Sequence, residues 1–175
     1  MADLVEPVAV VVTDDRDAAD RSDPPVDLDR WQRLAARVAS DVGGRGELTL
    51  TFVDRAAMAE INAEWMGAER PTDVLAAPLD AVDGGDAPDG AVPRLLGDIV
   101  VCPAVAVDQF ATHAGTLDDE IALLVVHGVL HVFGHDHAEA DEAEAMRAEE
   151  RRLLGRFHWN GAAPPEFQQQ HDDQR

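Results

Sequence analysis

The chain has 175 residues, 46% of them hydrophobic, enough for one domain with a buried core and too little for a tandem array. Its 35 acidic residues face 14 basic ones, all arginine, for a formal net charge of −21. Such a surface repels phosphate backbones, so composition alone argues against nucleic acid. No apolar run approaches the ~18 residues of a membrane span, and the first residues lack the basic start and apolar stretch of a secretory signal. A single cysteine, Cys102, excludes an internal disulfide framework and a multi-cysteine zinc cage. The expectation is a cytoplasmic protein of a reducing compartment.

Val8 to Val12 is a β-branched run that reads as a buried strand, followed by an acidic, proline-containing loop from Asp14 to Pro25. Leu28, Trp31, Leu34, Ala35 and Val38 recur at helical spacing, and that helix is expected to end at Gly43-Gly44. Leu48, Leu50 and Phe52 alternate with polar residues at the period of a half-buried strand. Asp54 is a candidate N-cap for a second helix carrying Met58, Ile61 and Trp65 on one side. Pro71 to Leu75 reads as a short extended segment, and residues 80–93, rich in Gly, Asp and Pro, as a mobile loop. Leu95 to Cys102 reads as a strand, with Pro103 in the first turn of the helix that follows. Thr116 with Asp119 forms a candidate capping box for a helix running to Phe133. That helix is apolar almost all round and so belongs in the core. A polar helix from Ala140 to Phe157 comes next, and Gly161 to Arg175 reads as a disordered tail. Together these elements give a single α/β domain over residues 1–160, built on a small mixed sheet of about four strands packed with helices.

The chemistry is concentrated in His127-Gly128-Val129-Leu130-His131-Val132-Phe133-Gly134-His135-Asp136-His137. Residues four apart on a helix share a face, with β-carbons about 6 Å apart, so the imidazoles of His127 and His131 can meet one ion. Gly134 sits where a helix ends in a left-handed residue, and the bend it makes can return His137 to the same point. Three imidazoles leave one position of a tetrahedral zinc open, the catalytic pattern; a closed structural site needs a fourth ligand, for which His135, Asp136 and Cys102 are candidates. Four histidines that bind nothing is the bland alternative, disfavoured because burying several unpaired rings in an apolar helix is costly. The metalloprotease motif carries a glutamate base after its first histidine, and this chain has Gly128 there, which disfavours a peptidase using that base. Gly128 reads equally as a site of tight packing or of close approach by substrate.

This segment resembles the HGxLHLxGxDH signature of the YbeY family, bacterial metal-dependent endoribonucleases of ribosomal RNA maturation. Pro71-Thr72-Asp73-Val74-Leu75 and Leu96-Gly97-Asp98-Ile99-Val100 agree with the family in order and distance, as do Asn62 and Trp65, so the likeness spans roughly Leu48 to Leu154. The resemblance implies a zinc-metalloprotease-like α/β architecture with a four-stranded sheet. It implies one zinc ion per chain on His127, His131 and His137. It further implies single-strand-specific cleavage of RNA, action in 16S rRNA 3′-end maturation and ribosome quality control, and association with the small ribosomal subunit. Three departures stand out. Met66 occupies the place of an arginine suspected of a functional role, Ala76-Ala77 replaces a frequent Ser-Phe, and His135 replaces a usual tyrosine. His135 is expected to fill the place of that ring.

Among the supporting residues, Asp136 and Asp73 are weak candidates for catalytic roles, with turn capping and loop hydrogen bonding as their ordinary alternatives. Asp98 is in the same position as Asp73, an acid in an apolar run. Glu120 shares the face of His127 but reads as a solvated first-turn acid. Arg70 and Arg94 are weak candidates for RNA contacts at the cleft rim, and the acidic total restricts any such contacts to a few arginines. Two readings compete with the ribonuclease: a metal-dependent hydrolase of another class, peptidases included, and a ribosome-assembly factor with a structural zinc.

Overall fold

A computed structural model describes residues 8–79 and 94–169. The expected loop over residues 80–93 lies outside the described residues. Among them, four strands form one mixed sheet in the order β1-β2-β4-β3. β1 (Ala9–Asp14), β2 (Glu47–Phe52) and β4 (Leu95–Val101) run parallel. β3 (Val74–Pro78) is antiparallel to β4, pairing Val74 with Val101 and Pro78 with Gly97. The parallel strands are apolar and buried on their helix-covered face, as strands flanked by helices require.

α1 (Leu28–Asp41) buries Trp31, Leu34, Ala35, Val38 and Ala39, the stripe its spacing predicts. It stops at Asp41, two residues before the glycine pair. α4 (Leu117–Val132) lies against β3, β4 and α1, and α5 (Ala140–Leu154) packs on its outer side. These helices and Leu48, Leu50, Phe52 and Ile99 form the main core. A second, smaller core on the other side of the sheet joins Val53, Met58, Leu75, Val100 and Cys102. It is roofed by α2 (Arg55–Met66) and α3 (Pro103–Gln109). Trp65, expected on the inner side of α2, is 36% exposed because that small core is already filled by Met58 and Ile61.

Two expectations about chain ends change. α5 gives way at Gly155 to a π-helical turn, Gly155–Trp159, instead of continuing to Phe157. The expected disordered tail is part of the folded body as far as Gln169: Phe167 is buried and meets Trp159 edge-on, with ring centres 4.7 Å apart. An isolated aromatic in a polar stretch is a weak signal in sequence, yet burying one phenyl ring contributes ~2 kcal/mol.

Candidate metal centre

α4 begins where Thr116 accepts a hydrogen bond from the Asp119 N–H at 3.1 Å. The expected capping box is only half made. The Asp119 carboxylate instead accepts from His158 Nε2 (2.7 Å) and Trp159 Nε1 (2.8 Å), tying the start of α4 to the π turn. Residues Ile121 to Leu130 are all buried, so the helix holds its two histidines in a fixed frame. Gly128 lets α4 approach the sheet: a Cβ there would lie 2.7 Å from Ile99 Cγ2. Tight packing therefore accounts for this glycine.

At its other end α4 stops in a Schellman arrangement. The Gly134 N–H donates to His131 O (3.0 Å), the His135 N–H donates to Leu130 O (3.0 Å), and Gly134 has φ +88°. The chain reverses, and the ring of His137 comes to 5.5 Å from that of His127 and 5.1 Å from that of His131, centre to centre. One nitrogen from each of the three rings lies within 4.8 Å of the other two. His127 is buried; His131 and His137 are half-buried.

Two observations show that this donor set fits a cation. Nε2 of His127 and Nε2 of His131 face each other at 2.9 Å, while Nδ1 of His127 lies 2.6 Å from Oε1 of Glu150, a carboxylate that is 1% exposed. A buried carboxylate accepts, so Nδ1 carries the proton and the lone pair on Nε2 is directed into the group. Burial first, then the neighbouring His127 and His137, bring the pKa of His131 from 6.5 to about 4, so that ring is neutral. Neutral imidazoles with converging lone pairs are what a borderline cation such as zinc binds. Nothing in the sequence pattern singles out Glu150. It stands 23 residues from His127 in a helix rich in glutamate, and only its burial sets it apart.

Of the remaining candidates, Asp136 is exposed and accepts from the His137 N–H at 2.7 Å, which braces the turn that presents the third ring. Asp73 belongs to a separate buried cluster at the N-terminal end of α4. Its Oδ1 accepts from the Val74 N–H (2.7 Å) and its Oδ2 from Gln109 Nε2 (2.7 Å). The same Gln109 nitrogen donates to Glu120 at 2.9 Å. Glu120 is 1% exposed and also accepts from the Ala114 N–H (3.2 Å), which corrects its reading as a solvated acid. Seven residues of helix, ~10 Å of rise, separate it from His127. Asp98 accepts from the Thr49 hydroxyl across the sheet. Cys102 is fully buried in the smaller core, its thiol pKa raised by burial.

The two arginines lie at opposite ends of the sheet. Arg94 precedes β4 at the end where Gly97 meets Val132 of α4, the end that carries His131. Arg70 precedes β3, whose first residue pairs with Val101, and its carbonyl accepts from Asn62 Nδ2 at 2.8 Å. Arg70 is thus placed with the Asp73 cluster, away from the three rings.

The profile of the family described as Endoribonuclease YbeY matches residues 18–158. Endoribonuclease YbeY of Salinispora tropica is 46% identical over 143 residues, covering 78% of this chain and 91% of that protein. Endoribonuclease YbeY of Mycobacterium marinum is 42% identical over 137 residues, 77% of this chain and 76% of that protein. The solution structure of TM1509 from Thermotoga maritima shares the fold, with a TM-score of 0.54 at 20% identity over 95% of this chain and 99% of that one. With the matched region enclosing all three converging histidines and the helix that carries Glu150, the chain belongs to the YbeY family of endoribonucleases.

Proposed function

We propose that this chain cleaves phosphodiester bonds of single-stranded ribosomal RNA, at the 3′ end of 16S rRNA and in ribosome quality control. It uses one zinc ion held by His127, His131 and His137, and works in the cytoplasm on or near the small ribosomal subunit. The observation that carries the reading is the convergence of three imidazoles, with no fourth histidine, cysteine or carboxylate in the group among the described residues. A closed structural site has four protein ligands, and a catalytic one keeps a position open.

Zinc, when bound, supplies Lewis-acid stabilisation of charge on a phosphate oxygen and acidifies water at its open position. The chain's own residues supply the rest. Glu150 holds the His127 tautomer, and burial keeps His131 unprotonated at neutral pH. Gly134 and Asp136 fix the loop that presents His137. Arg94 precedes β4 at the same end of the sheet, which supports assigning it, in preference to Arg70, to a phosphate contact. A peptidase reading lacks support, because Gly128 stands where that chemistry needs a glutamate and is packed on Ile99.

Incubating the zinc-loaded protein with single-stranded RNA, structured RNA and peptides tests the proposal. Single-stranded RNA is expected to be cut, and His131→Ala is expected to abolish cutting while the far-ultraviolet circular dichroism stays unchanged. Cleavage that survives complete metal removal, or that persists in folded His131→Ala, overturns it.

A further inference from the structure

The family match ends at residue 158, yet the segment beyond it reaches back to the metal centre. Phe167 anchors this segment, with the Arg151 guanidinium 5.3 Å from its ring centre. The Gln168 N–H donates to His113 O at 2.9 Å. Glu166 closes over Gly115, where a Cβ would come within 2.7 Å of Glu166 Cγ. Thus anchored, Gln169 places its amide on α5. Its Nε2 donates to Oε2 of Glu150 (2.6 Å) and to Arg147 O (2.7 Å), and its Oε1 accepts from Arg151 Nε (2.9 Å). Glu150 is thereby gripped at both oxygens, by His127 on one and Gln169 on the other.

We infer that Gln169 is a positioning residue for the metal centre: by holding the second oxygen of Glu150 it keeps the first on His127 Nδ1, and so keeps His127 Nε2 aimed at the ion. The physical basis is the cost of removing one donor from a buried carboxylate. Losing a hydrogen bond to a charged, buried acceptor shifts the preferred position of that carboxylate, and a shift of Glu150 loosens the ring it orients. Outer partners of this kind change metal affinity by 10–100-fold, and a group one step further out is expected at the low end of that range, about tenfold. This inference rests on the proposed metal site and not on the RNA substrate.

The test uses the full chain and measures Zn²⁺ affinity by chelator competition, with the visible absorption of Co²⁺ as a second readout of geometry. Gln169→Met keeps the shape of the side chain and removes its donor; it is expected to weaken Zn²⁺ binding about tenfold and to alter the Co²⁺ spectrum. A purely structural strap would lower the melting temperature of the metal-free protein and leave affinity and spectrum untouched. That result, in Gln169→Met or in the milder Gln169→Asn should the first fail to fold, overturns the inference. Wild-type protein that binds neither ion at the three histidines overturns the metal site itself, a separate failure.

Discussion

Gly128 illustrates two opposed effects at one position. Alanine in a helix interior is worth about 1 kcal/mol over glycine, but here the added methyl would meet Ile99 Cγ2 at 2.7 Å in a fully buried layer. Overpacking costs typically 1–3 kcal/mol, so Gly128→Ala is expected to lower stability in thermal melts, and Ile99→Ala in the same chain to relieve part of that loss. His131 gives a pH dependence of known sign. Its pKa is lowered from 6.5 to about 4, so between those values the unfolded chain takes up a proton that the folded, metal-free chain refuses. Stability from this residue is therefore intact above pH 6.5 and declines as pH falls towards 4. Melting curves of the metal-free protein across that window should show the decline, and His131→Asn should flatten it. At this scale the convergence of the three histidines was legible, because a four-residue interval and a glycine bend are geometric statements. Glu150 and Gln169 were not: one is an acid among many in α5, the other a polar residue beyond Gly161, and only the fold brings them together.

Between elements, the polar links do work that hydrophobic spacing alone would not show. Asp41, the last residue of α1, accepts from Arg152 of α5 at 2.5 Å and also from Arg156 in the π turn. Arg152 adds Glu149 at 2.6 Å, and the pKa of that carboxyl is lowered first by this bond. The arginines are largely exposed while Asp41 is 11% exposed. Asp41→Asn is therefore expected to cost about 1 kcal/mol in chemical denaturation, and less at high salt. Strands and helices could be read in order because periods of two and 3.6 residues survive in any context. The docking of the segment after Gly161 could not, because it depends on one phenylalanine finding Trp159. Nor could the fate of Asp119, whose carboxylate suits its own helix cap and the His158–Trp159 pair equally well until the π turn places that pair beside it.

Taken whole, a chain of net charge −21 must fold against its own repulsion. Raising sodium chloride from about 10 mM to 300 mM shortens the Debye length from ~30 Å to below 10 Å, and the melting temperature is expected to rise, since 35 acids outnumber 14 bases and screening relieves more repulsion than it costs in ion pairs. RNA affinity should move the opposite way but gently. With an acidic total that leaves few arginines for RNA, a slope of log affinity against log salt no steeper than about −2 is expected, as for three or fewer phosphate contacts on a single strand. The three converging histidines are also unequally held in this architecture. Two ride on a helix buried throughout from Ile121 to Leu130, whereas the third hangs from the short link between Gly134 and α5. An ion held as proposed would therefore leave first by the outward swing of His137, which leaves a two-toothed grip on a rigid jaw, and the length and stiffness of that link would set its residence time more than the helix does.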